Sequence, residues 1–179
     1  MHRIHVAVAS RRSGDDLTSY ASPKCAVDVL QHSSMTNVAF ESFQRCAILV
    51  QNQHTATDEE WNQWLAFVAQ SRARWASDLR ILILSAGGTP TPKQRSMVHA
   101  LMPKSGNGVL TAVVTSSFFG RTVVSAMSLF NRNVQAFSIR LARDAFNYLG
   151  IPSTRHMELM TRLRLMHERL DIPFRVELG

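Results

Sequence analysis

Cysteine is scarce. The 179 residues hold two, Cys25 and Cys46, with no C-x-x-C spacing, which excludes a disulfide-stapled scaffold. Cys46 sits inside an apolar run and reads as a small buried hydrophobe. Long apolar runs are absent as well. No stretch approaches the roughly 18 uninterrupted apolar residues of a membrane span. The opening "MHRIHVAVASRRSGDD" follows a short apolar stretch with arginines and aspartates, a poor secretory signal. A cytoplasmic location is the expectation.

Signatures of catalysis are missing too. There is no G-x-S-x-G elbow, no P-loop and no G-x-G-x-x-G. The seven histidines have no metal-ligand spacing: His2 and His5 lie near the start, while His99, His156 and His167 sit singly on predicted helices. His54 and Asp58 are close in sequence, but nothing in the pattern joins either to a serine. Glu59 and Glu60 are first-turn acids favoured by a helix dipole. The expectation is no enzyme, no cofactor and no metal.

What the chain does have is positive charge, +7 from 20 basic and 13 acidic residues. The arginines are scattered. Arg72, Arg74 and Arg80 flank one junction, Arg140 and Arg143 share a predicted helix, and Arg155, Arg162, Arg164 and Arg169 share another. Nowhere do four basic residues run together, so a solvated basic surface is expected and nucleic-acid binding is not.

Residues 1–35 are polar and turn-rich, with a possible strand at 4–8 and weak periodicity afterwards. They read as a weakly structured N-terminal extension, with the compact domain at 36–179. Met35 is a candidate start of the native chain. From there "NVAFESF" and "RCAILVQN" read as a hairpin with a tight connection near Gln44. In "TDEEWNQWLAFVAQSRARW", Thr57 and Glu60 form a capping box, and Trp61, Trp64, Leu65 and Val68 fall at i, i+3, i+4 and i+7, the buried stripe of a helix. "LRILILS" suits a strand buried on both faces. Thr91, Pro92 and Gln94 open the next helix, "VLTAVVT" is a further buried strand, and "SSFFGRTVVSAMSLF" a helix. "VQAFS" is a short strand. A helix stopped by Gly150, a last helix after Pro152 and Ser153, and a short tail complete the chain. Strands alternating with helices of this length predict an α/β fold, with a mostly parallel sheet of four or five strands after an antiparallel hairpin.

The segment "TAVVTSSFFGRTVVSAMSLFNRNVQAFSIRLARDAFNYLG" resembles the STAS-like family, small bacterial domains related in fold to anti-sigma-factor antagonists and distantly to SEC14-type lipid-transfer domains. Val113, Val114, Ser116, Ser117, Arg121, Phe137 and the run from Ala145 to Gly150 carry the match. "HTATDEEWNQWL" and "GGTPTPKQR" extend it, so that it covers roughly 36–150. The resemblance implies a sheet of four or five strands and a regulatory or binding role. In the antagonists a serine at a strand-to-helix junction is phosphorylated. Those domains usually read Asp-Ser there; this chain reads Thr115-Ser116-Ser117.

Two corners could bind or be modified. At the first, Ser116 and Ser117 precede a helix, and three readings stay open: a helix cap, an anion held at the helix start with Arg121, or a phosphoserine. At the second, Gly87 and Gly88 follow a central strand, and their N–H groups could cradle an anion with Lys93 and Arg95 nearby. Parallel strands would place both corners on the edge where open α/β sheets bind ligands. On the last helix Met157, Met160, Leu163, Met166 and Leu170 form an apolar stripe, expected to pack on the sheet or across a dimer, or else to meet a partner or an anionic lipid surface. The chain therefore reads as a regulatory or protein-interaction module with a protein partner or self-association, and alternatively as a binder of a small anionic or lipid ligand.

Overall fold

The β-branched and leucine-rich runs pair into a five-stranded sheet of order β1-β2-β3-β4-β5 in the computed structural model. The structure describes residues 36–101, 108–116 and 133–178. The strands are β1 (Val38–Phe43), β2 (Cys46–Gln51), β3 (Arg80–Ser85), β4 (Leu110–Thr115) and β5 (Val134–Ser138). β1 and β2 are antiparallel, and every later pairing is parallel. The sheet is thus mixed, with its antiparallel hairpin at the start and the rest parallel. Phe43 faces Cys46 across the hairpin, and Gln44 turns it at φ +54°.

The helices are α1 (Asp58–Trp75), α2 (Pro92–Leu101), α3 (Ala142–Tyr148) and α4 (His156–Arg169). The predicted caps are made. Thr57 Oγ1 accepts from the Glu60 amide at 3.2 Å, and the Glu60 carboxylate accepts from the Thr57 amide at 2.8 Å. Thr91 and Gln94 make the same reciprocal pair at 3.2 and 2.9 Å. The Gln94 side chain also donates to the Ala56 carbonyl at 2.9 Å, tying α2 to the start of α1. α3 ends as Gly150 requires, at φ +67°. The Ile151 amide reaches back to the Phe146 carbonyl and that of Gly150 to Asn147, a Schellman closure.

The alternation of side chains along the strands sorts the core into two layers. Ala47, Leu49 and Ile81 face α1 and pack with Trp61, Trp64, Leu65 and Val68. Cys46, Ile48, Val50, Leu82, Leu84, Ala112 and Val114 face the other way, against α3 and α4. Burial pushes the Cys46 thiol up to about 12.

Two sequence readings are corrected here. In the stripe of α4, Leu163, Met166 and Leu170 are buried and Met160 packs against the core as expected, but Met157 is 68 % exposed, and His156, Leu159 and His167 are buried in addition. The helix is rotated so that Leu159 and both histidines turn inward. The second correction concerns the tail. Residues 172–178 are not a loose end but lie back across the α3–α4 side of the sheet, with Ile172 and Val176 buried and Phe174 and Leu178 packed against the same core. The predicted helix after β4 lies outside the described residues, apart from Ser116 at its start.

Candidate functional site

Parallel register brings the C-terminal ends of four strands level. Gln51, Ser85, Thr115 and Ser138 form one row across β2 to β5, so an apolar sheet ends abruptly in hydroxyls and an amide. The loops beyond this row build the site. The β2–α1 loop folds around its own side chains: Asn52 Oδ1 accepts from the His54 amide at 2.8 Å, and Gln51 Nε2 donates to the His54 carbonyl at 3.1 Å. The β3–α2 loop docks into that curl through Gly88, whose amide donates to the Asn52 carbonyl at 3.0 Å. A Cβ on Gly88 would sit 2.3 Å from the His54 carbonyl oxygen and 2.7 Å from that of Asn52. Ser85 closes the same turn, its hydroxyl donating to the Gly88 carbonyl at 2.8 Å and accepting from the Gly87 amide at 3.1 Å. Gly87 sits at φ +137°, a conformation open only to glycine.

Beside these loops lies a cleft of about 170 Å³. Leu84, Val114, Ile139, Ile172 and Pro173 give it apolar walls, and its polar groups come from Gln53, Ser85, Ser116, His167 and Arg175. Separate parts of the fold converge on it: the ends of β3 and β4, the β2–α1 loop, the turn after β5, the last turn of α4, and the tail. Ser116 is exposed at the end of β4. His167 is buried on α4, and its Nδ1–H donates to the Leu163 carbonyl at 2.7 Å, leaving Nε2 as the unprotonated nitrogen of a neutral ring. Burial holds the His167 pKa below its usual value, only partly offset by that hydrogen bond. No hydrogen bond joins Ser116 to His167 among the described residues.

Of the residues singled out from sequence, Gly87, Gly88 and Ser116 stand together at this edge, while Ser117 and Arg121 lie outside the described residues. The two glycine amides are engaged within the protein, by Ser85 and Asn52. Lys93 and Arg95 are engaged as well: Lys93 pairs with Asp58 at 2.6 Å and Arg95 donates to the Pro90 carbonyl at 2.8 Å. The hydrogen bond from Lys93 is the largest cause of a lowered Asp58 pKa. His167, Arg175 and Gln53 were not foreseen. A signal for the first two existed in the alternation of Ile172, Phe174, Val176 and Leu178, which marks the tail as an extended segment with one buried side.

No family model matches the chain, and no curated protein matches it. Among solved structures it is similar to an uncharacterized protein from the DUF3478 family with a SpoIIAA-like fold, from Shewanella loihica PV-4, with 15 % identity over 63 % of this chain and 91 % of that one, at a TM-score of 0.46. The fold stated above stands on its own sheet order and register.

Proposed function

We propose that this chain is a STAS-like, non-enzymatic regulatory or protein-interaction module, and that it works through the edge where the β3 and β4 corners meet. The observation that carries this reading is Ser116, exposed at the end of a central parallel strand on the rim of a cleft. Open α/β sheets bind at this edge, because the loops there converge while the sheet behind them stays rigid. Ser116, Ser117 and Arg121 supply hydroxyls and charge, and a phosphate on either serine would recast the rim as an anionic surface. In this reading Gly87 and Gly88 shape the rim and do not themselves contact the partner, since their amides are already bonded.

The test is a purification from the native host of the wild type and of Ser116→Trp, with intact-mass measurement of each. A partner that co-purifies at fixed stoichiometry with the wild type and is lost from the folded variant supports the reading. A mass increment of one phosphate that maps to Ser116 or Ser117 supports the regulatory form. Equal recovery of the same partner by both proteins would refute the assignment of the surface.

A second reading rests on the composition of the cleft. Apolar walls with Arg175, Ser116 and Gln53 at the rim suit a small ligand with an apolar body and an anionic head, a lipid among them. Native mass spectrometry distinguishes the two: a bound small mass released by Arg175→Glu points to the ligand, whereas a protein partner lost with Ser116→Trp points to the module.

A further inference from the structure

The tail that walls the cleft is pinned at both ends and turns on one residue. Where α4 stops, the Ile172 amide donates to the His167 carbonyl and the Asp171 amide to Glu168. Asp171 takes φ +51°, which reverses the chain without a glycine. The strap 172–178 then crosses the sheet side with alternate residues inward. Its far end is held by two backbone hydrogen bonds, from the Glu177 amide to the Ile139 carbonyl at 3.1 Å and from the Ala142 amide to the Glu177 carbonyl at 3.2 Å. Between these anchors, the Phe174 ring meets the His167 ring edge-on with centroids 5.1 Å apart. The histidine therefore occupies the hinge, touches the strap and lines the cleft at once.

The charged side chain that lines the cleft with it is basic, and the carboxylates next to it in sequence, Glu168 and Asp171, are exposed. Arg175, on the strap, lines the same cleft. Arg164, on α4, lies over the Phe174 ring at 5.5 Å. The cleft-lining groups from the other elements, Gln53, Ser85 and Ser116, are uncharged, and no carboxylate is among them. We propose that the C-terminal strap is a pH-sensitive wall of the cleft, released when His167 takes up a proton. A protonated ring would lie buried against Phe174, in a cleft that Arg175 also lines and no carboxylate does, and lifting residues 172–178 exposes it to water and separates it from Arg175. The direction follows from linkage. The closed state holds the proton less tightly than the open state, so closure is fully favoured above the unperturbed pKa of 6.5 and weakens as pH falls below it. The inference concerns how the cleft opens and does not depend on what the cleft binds.

Amide hydrogen exchange on the full chain tests it. The Glu177 amide is expected to exchange faster than the β3 amides of Leu82 and Leu84, because the strap opens without the sheet. Its protection factor is expected to fall, by up to about tenfold per pH unit below 6.5. His167→Phe keeps an aromatic ring against Phe174 and should abolish that fall. Arg175→Gln, on the exposed side of the strap, should keep the fold and make the fall shallower. Glu177 protection that matches the β3 amides, or that does not change between about pH 7.5 and about pH 5.5, overturns the proposal. So does a pH dependence that survives in His167→Phe or stays unchanged in Arg175→Gln.

Discussion

Gly88→Ala isolates what the glycine corner does. Gly88 is buried and its φ is not in the left-handed region, so the added methyl meets a steric obstacle and not a torsional one. The obstacle is chiefly backbone: the His54 carbonyl oxygen at 2.3 Å and the Asn52 carbonyl oxygen at 2.7 Å, with the side-chain Nε2 of Gln51 also at 2.7 Å. The Gln51 side chain can swing aside, but the two carbonyls cannot, so the β3–α2 and β2–α1 loops must separate. Overpacking of this kind costs about 1–3 kcal/mol, and losing the Gly88–Asn52 hydrogen bond adds about 1 kcal/mol. The expected loss is therefore about 2–4 kcal/mol in equilibrium urea unfolding. Gly150→Ala is the internal control: φ is +67° there and nothing lies within 4 Å of the new Cβ, so only the left-handed backbone penalty of about 1–2 kcal/mol applies. If Gly88→Ala costs no more than Gly150→Ala, the docking of the two loops is not what this glycine secures. If Gly88→Ala instead leaves stability intact and abolishes an anion's binding, the glycine was there for a ligand after all.

Other residues carry sharp expectations. Glu60 accepts from the Asn37 amide at 2.6 Å and from the Thr57 amide at 2.8 Å; burial raises its pKa, but these bonds more than offset it and leave the carboxyl below its usual range. Its contribution should be present above about pH 4.5 and lost as pH falls through the lowered folded-state value. Glu60→Ala should cost about 1–2 kcal/mol at neutral pH in thermal unfolding, and less in acid. Asp171→Gly removes the left-handed strain at the strap hinge and should raise stability by roughly 0.5–1 kcal/mol in the same assay; a loss instead would mean that the carboxylate supports the turn. In a Cys25→Ser background Cys46 should resist a thiol reagent at about pH 8 until the protein unfolds, since a buried thiol near pKa 12 offers almost no thiolate; rapid labelling of the native protein would contradict its burial.

Much of the fold was legible because its determinants are local. Thr57 and Glu60 sit three apart before an apolar stripe, and that spacing specifies a helix start without help from the rest of the chain. "RILILS" is apolar at four of its six positions, with a half-buried arginine and serine at its ends, the mark of a strand covered on both faces. The edge where the corners meet was also legible, because parallel strands place their C-terminal ends together. The rotation of α4 was not. His156 and His167 are polar by type, yet each satisfies its ring within its own segment, through the Ile151 and Leu163 carbonyls, and so turns inward. A reading that counts only Met and Leu as apolar then includes Met157 and overlooks Leu159 and the histidines, although Leu163, Met166 and Leu170 of that stripe are buried.

The glycine corner shows how a motif can mark the right place for another reason. Gly-Gly after a central strand suggested amides free to hold an anion. Those amides instead hold Ser85 and Asn52, and the pair allows two loops to close against each other. That closure sets Gln53 on the rim of the cleft, with Ser85 beneath it. On the opposite rim Arg175 comes from a tail whose position depends on His167 and Phe174. One wall is therefore locked by loop-to-loop docking, and the other is a strap held by backbone hydrogen bonds at its two ends with the His167–Phe174 contact between them. Substitutions between the strap's anchors should consequently widen the cleft more than substitutions of equal size in the loop that Gly88 secures, because there the strap is held by side-chain packing such as Phe174 on His167, whereas the loop is docked by a backbone hydrogen bond at Gly88.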